Sequence, residues 1–155
     1  MLKLRQKFDP GRPVYVEAES SKIGLISLPA GLTSAMHAGN CLLLETPLAT
    51  RVAGLLADYR HYVENPESLI GHLQSLLRFH GAKQLQHWSA LIRQGEFETL
   101  VAELLTLHYD PSYFRATARN YPNLGQAQRI PVTGISADAM KKLAQHPEKQ
   151  AIAAC

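Results

Sequence analysis

The sequence predicts an α/β protein: an incomplete parallel sheet of two or three strands with a largely helical middle segment. Two apolar runs, Pro13-Val14-Tyr15-Val16-Glu17 and Cys41-Leu42-Leu43-Leu44-Glu45, lack polar alternation and each closes on a glutamate. Runs of this kind suit strands covered on both faces, as in parallel sheets. Between them and a poorer run, Arg129 to Thr133, apolar residues recur at the three- and four-residue spacing of amphipathic helices. Strands interleaved with helices favour an α/β layer. Two or three parallel strands with open faces and edges make a poor domain by themselves, so further strands are expected elsewhere.

Each element has a local reason. Residues 1–12 read as the tail of a helix and a turn at Asp9-Pro10-Gly11. Ile23 to Pro29 reads as extended or looped, and Ala30 to Ala38 as a short helix ended by Gly39-Asn40. Thr46-Pro47 predicts a helix start, with threonine as N-cap and proline in the first turn. Val52, Leu55, Leu56, Tyr59 and Val63 give that helix its apolar stripe. Asn65-Pro66-Glu67 repeats the start signal for a helix carrying Leu69, Ile70, Leu73, Leu76 and Leu77, ended by Gly81. Leu85, Trp88, Leu91 and Ile92 mark the next helix, stopped near Gly95. Phe97, Leu100, Val101, Leu104 and Leu105 mark another, which is expected to run out before Asp110-Pro111. Tyr113 to Ala118 adds a helical turn. Pro131 assigns the last strand to an edge or a bulge, and Ser136 can cap a final helix to about Gln145, before a frayed tail.

Composition narrows the class. The chain has 155 residues, 46% hydrophobic and 19% charged, as in a folded protein with a real core. It has neither an apolar run long enough to span a bilayer nor an apolar region behind the basic start Lys3 to Lys7, so the expected address is the cytosol. Cys41 and Cys155 are the only cysteines, too few and too far apart in character for a disulfide framework. The net charge of +3 divides unevenly: +2 over residues 1–60, −3 over 61–110 and +4 over 111–155. Basic ends can meet a polyanion, although an ordinary solvated surface explains them equally well.

Pro13 to Gly24, read as P-V-Y-V-E-A-E-S-S-K-I-G, resembles the P-V-W-V-E-x-E-S-x-x-I-G signature of tRNA 2-selenouridine synthases, with Tyr15 in the usual tryptophan's place. Glu45-Thr46-Pro47-Leu48-Ala49-Thr50-Arg51-Val52 is similar to the family's E-x-P-L-x-x-R-V, and Leu55-Leu56-Ala57-Asp58-Tyr59 to the pattern that follows it. His108-Tyr109-Asp110-Pro111-x-Tyr113 is similar to the family's H-Y-D-P-x-Y. The likeness runs from about Phe8 to Pro122, which divides the chain into 1–122, the later part of a P-loop-type domain, and a C-terminal strand, helix and tail over 123–155.

The resemblance implies a two-part enzyme with a rhodanese-like domain followed by a P-loop domain. Such an enzyme replaces sulfur by selenium in the wobble 2-thiouridine of tRNA, using selenophosphate, through a geranylated intermediate made from geranyl diphosphate. This chain departs from the pattern, since it contains no G-x-x-x-x-G-K-[ST] and neither cysteine sits in a rhodanese-type loop. A split gene, a truncated frame or a fragment is therefore expected. Such a chain would carry no cofactor of its own, be inactive alone, and depend on an N-terminal rhodanese and P-loop half or self-associate. The alternatives are a stand-alone helical module binding RNA or protein, and a nonfunctional gene remnant.

Candidate residues follow from chemistry. Glu17, and second Glu19, stand where P-loop proteins place an acid that holds Mg²⁺ beside phosphates, usually through water; a structural ion pair is the rival role. Ser20, Ser21 and Lys22 can meet a diphosphate or an RNA phosphate, or simply form a turn. Arg51 has the planar fork that suits phosphate, with a salt bridge as the alternative. Arg115 and Arg119 beside Tyr113, Phe114 and Tyr121 mix cations with aromatics, as RNA-binding surfaces do, although dense aromatics more often pack a core. Neither His37 with Cys41 nor His80 with His87 has the accompanying ligands of a zinc site, and Trp88 at helical spacing reads as core.

Overall fold

The computed structural model describes residues 13–18, 21–132, 134, 139 and 141. The predicted start of the chain, Glu19, Ser20 and most of the predicted final helix and tail lie outside them. The chain divides into two compact units, residues 1–41 with 115–127, and residues 42–114 with 128–155.

In the first unit, residues 13–18 take no regular secondary structure. The expected strand Pro13 to Glu17 is not formed, and Val14, Tyr15 and Val16 are about half exposed. A strand exists only through a neighbour's backbone, and among the described residues none pairs with this run. The stretch after it is a tight hairpin, β1 (Lys22–Ile23) against β2 (Ile26–Ser27), antiparallel with Lys22 opposite Ser27. Gly24 turns the chain with φ +60° and Leu25 follows without a positive φ, the pattern of a type II′ turn. Helix α1 (Ala30–Ala38) matches the predicted range. Its last carbonyls are satisfied from a distance: Asn123 Nδ2 donates to Ala38 O at 3.3 Å and Gly39 O at 3.2 Å. The His37 ring packs edge-on against buried Tyr121, 5.0 Å between centroids.

The second unit contains the sheet. Strand β3 (Leu42–Glu45) pairs in parallel with β4 (Gln128–Pro131), Leu42 opposite Gln128 and Glu45 opposite Pro131, and the Val132 N–H donates to Glu45 O at 2.8 Å. Parallel pairing is as predicted, and Pro131 ends its strand where its missing donor matters least. The expected burial on both faces is only partly met, since Leu44 is half exposed.

Helix α2 (Leu48–Asp58) starts one residue later than predicted: Pro47 takes the N-cap position and Thr46 caps nothing. Short α3 (Arg60–Glu64) leads into α4 (Pro66–Leu73), where the predicted cap is real, Asn65 Oδ1 accepting from the Ser68 N–H at 3.2 Å. A 3₁₀ turn over Gln74–Leu76 joins α4 to α5 (Leu77–Gln94). Gly81 breaks α5 near its start with φ 75° and ψ 170°, and Gly95 closes it in the left-handed region at φ 77°.

Next come α6 (Phe97–Glu103), a π-helical segment (Leu104–Tyr109) and α7 (Asp110–Asn120) without interruption. The sequence predicts that the helix runs out before Asp110-Pro111; instead the chain stays helical through that point. Proline lacks the N–H of an ordinary turn and crowds the carbonyl four residues back, and the wider π turn just ahead of it relieves both demands. Leu73, Leu85, Trp88, Leu91, Ile92 and Leu100 form the core, with Trp88 fully buried as predicted.

Candidate functional site

The site grows from the C-terminal end of β3. Glu45 closes the strand and pairs with Arg129 of β4 across the parallel ladder. Six residues on, in the first turn of α2, Arg51 makes a two-pronged contact with Asp110 at the start of α7: Nη1 donates to Oδ2 at 3.0 Å and Nη2 to Oδ1 at 2.6 Å. The fork geometry is the strongest form of such a pair. The bond to Asp110 pushes the Arg51 guanidinium above its usual range, against the opposing effect of burial. Two stretches far apart in sequence, E-T-P-L-A-T-R-V and H-Y-D-P, are thus joined at one point.

Beside this pair, α2, α3, α4, α6 and the π segment enclose an almost wholly apolar groove of about 310 Å³. Leu55, Leu69, Leu73 and Leu104 are among its lining, joined by the rings of Tyr59, Tyr62, His108 and Tyr109. These rings also pack on one another: Tyr59 stacks on Tyr62 at 6.2 Å, and Tyr62 meets His72 edge-on at 5.3 Å. The groove went unrecognised at the level of sequence because its leucines carry the same spacing as core leucines.

Of the predicted site residues, the structure brings together only part. Arg51 is engaged in the salt bridge with Asp110. Glu17 is exposed in the unpaired segment, Ser21 and Lys22 are exposed at the base of the hairpin, and Glu19 and Ser20 lie outside the described residues. The Ser21 carbonyl accepts from the Leu28 N–H at 2.8 Å. Arg115 and Arg119 are exposed on α7. Tyr113 is half-buried, parallel to Tyr109 at 6.0 Å and edge-on to Phe114 at 6.0 Å, whereas Tyr121 is consumed in packing. Among the described residues no group of three or more His, Cys, Asp or Glu could hold a metal ion, and no helix is long and apolar enough to cross a membrane.

A parallel strand pair followed by a helix with a charged first turn, packed beside a helical layer, defines an α/β protein. Comparison with known proteins makes the class specific. Residues 1–79 match the model of the tRNA 2-selenouridine synthase AAA domain, half of the chain, and the chain belongs to that family. It is also 28% identical over 136 residues to a tRNA 2-selenouridine synthase of Shewanella loihica (strain ATCC BAA-1088 / PV-4). That alignment takes in 71% of this chain and 37% of the relative, so the chain spans well under half of the relative's length. No solved structure matches.

Proposed function

We propose that this chain serves as the later part of the AAA-type domain of a tRNA 2-selenouridine synthase. In that role it takes part in replacing sulfur by selenium in the wobble 2-thiouridine of tRNA, with selenophosphate as donor and a geranylated intermediate, in the cytoplasm. The observation that carries this reading is the Arg51–Asp110 pair, because it joins two of the stretches that resemble the family beside a groove suited to an apolar chain. A leucine-lined groove favours the hydrocarbon of geranyl diphosphate over a nucleobase, whose polar edges would go unsatisfied there.

The remaining candidates take matching roles. Ser20, Ser21 and Lys22 meet phosphate, and Arg51 does so if Asp110 yields it. Arg115, Arg119 and Tyr113 contact RNA backbone and base. Glu17 or Glu19 supplies one carboxylate to a Mg²⁺ that arrives with the phosphates; the described residues build no resident metal site, and Mg²⁺ commonly needs only one or two protein carboxylates beside phosphate oxygens.

The partner is a polypeptide carrying the phosphate-binding loop and the catalytic cysteine. The hairpin supports this: Ile23, Leu25 and Ile26 crowd its tip at 67%, 106% and 70% exposure, and a two-stranded hairpin is marginal in water without cover. The test mixes this chain with the N-terminal portion of the Shewanella loihica protein and measures 2-selenouridine in thiolated tRNA given selenophosphate. Product is expected from the mixture and not from this chain alone, and Leu25→Glu should abolish it while leaving the fold intact. Turnover by this chain alone would sink the proposed division of labour. Tight RNA binding with no product from any mixture would favour the helical-module reading.

A further inference from the structure

The apolar groove has a charged end. On α2 its lining includes Leu55, Leu56 and Tyr59, and Arg51 stands one helical turn, about 6 Å, before Leu55 on the same face. Along the other wall, α6 and the π segment contribute lining residues from Phe97 to Tyr109, and Asp110 comes next. Both walls therefore finish at the Arg51–Asp110 pair, with Tyr109 within electrostatic reach of the guanidinium. Neither charged residue belongs to the apolar lining. They stand just past it, where the polar head of a ligand lies when its chain fills the groove.

The pair has good geometry but a shallow hold. Each side chain is 28% exposed, and an ion pair in that setting favours the paired state by only about fivefold. A ligand carboxylate that takes the place of Asp110 gains little. It offers Arg51 the same two oxygens and leaves Asp110 nearby as a second, unpaired negative charge. A phosphate head brings more charge and a third oxygen to the same planar fork, so it can displace Asp110. An alcohol head leaves the ion pair as it stands.

We infer that Asp110 is an internal competitor for Arg51 that makes the groove select ligands by head-group charge, accepting an apolar chain that ends in phosphate or diphosphate over the same chain ending in a carboxylate or an alcohol. Asp110 fills the Arg51 fork while the groove is empty, yields to a multiply charged head, and returns when that head has gone. A chain that loses its phosphate thus loses its hold on Arg51 in the same event. The inference rests on the reading of the groove as a ligand site, and adds to it the residue that sets head-group preference.

The test is calorimetric titration of the full chain with decanol, decanoate and decyl phosphate, which share one tail, at about pH 8, where an alkyl phosphate carries nearly two charges. The unmodified chain is expected to bind decyl phosphate about tenfold tighter than decanol, and decanoate no tighter than decanol. Salt at about 0.5 M should erase most of the phosphate advantage. Asp110→Asn should tighten decanoate and decyl phosphate by about fivefold while leaving decanol within about twofold. Arg51→Gln should remove the preference for phosphate. Opposite effects from the two partners of one ion pair are the signature, because a pair that only holds the fold would weaken all three ligands in both variants. Near-ultraviolet circular dichroism checks that each variant keeps its packing, and the ranking in the unmodified chain stands without any variant. Decanoate bound by that chain as tightly as decyl phosphate, or both variants shifting phosphate affinity in the same direction, would overturn the inference. Equal binding of all three ligands would refute the filter and leave the groove reading intact, whereas binding of none would sink both.

Discussion

At the scale of single residues, the helical unit depends on one carboxylate. Glu103 on α6 accepts from Trp88 Nε1 at 2.9 Å, His87 Nε2 at 3.0 Å and Gln84 Nε2 at 3.2 Å, so one acid ties three side chains of α5. The His87 bond first, then Trp88 and Gln84, hold its carboxyl below the usual range against the opposing effect of burial. A depressed acid stabilises the fold above its unfolded pKa, and that stability is lost as pH falls through the folded value. The urea midpoint should therefore drop between about pH 5 and about pH 3, and drop less in Glu103→Gln. Glu103→Ala strands the buried indole N–H and should cost about 1–3 kcal/mol in denaturant melts. Asp110→Asn loses the charge but keeps one acceptor for Arg51. Because both partners of that pair are 28% exposed, its expected cost is nearer 1 kcal/mol.

At the scale of elements, stability turns on how helices begin and end. Gly95 holds φ 77° with open space around its Cα, so Gly95→Ala costs only the left-handed conformation, about 1 kcal/mol by thermal melting. Asn65→Ala removes the one side-chain cap on α4 and should cost a similar amount, about 1 kcal/mol. These features were legible in the sequence because a glycine after an apolar stripe and an asparagine before proline act locally. The parallel pairing was only partly legible: Cys41 to Glu45 showed itself as an apolar run, whereas its partner β4, with Arg129 and Pro131, gave a much poorer signal. Pro13 to Glu17 misled because its apolar pattern states what the run would pair with, not whether the partner is there. Thr46 misled by one residue, within the ordinary drift of helix ends. Asp110-Pro111 misled because proline normally stops a helix, and the π turn that admits it is a tertiary accommodation. Arg51 was legible as a residue of consequence, yet its partner lay 59 positions away and beyond any local pattern.

At the scale of the whole molecule, the exposed apolar hairpin is the surface on which the proposed polypeptide partner is expected to dock. Substituting Leu25 or Ile26 with glutamate should leave the melting temperature of this chain within about 1 °C, since both side chains already stand in water, while weakening any partner complex severely. Sedimentation of the chain with and without the complementary portion of a related synthase checks both halves of that expectation.

The parallel pairing of β3 with β4 also has a consequence for the order of birth. Glu45 meets Arg129 across 84 positions, with the helices from α2 to α7 falling between them in sequence. On the ribosome, β3 emerges long before its neighbour exists, and closing so wide a loop is slow compared with winding local helices. The helices should condense first during translation, and the nascent chain carries one unsatisfied strand until nearly all of it has been made.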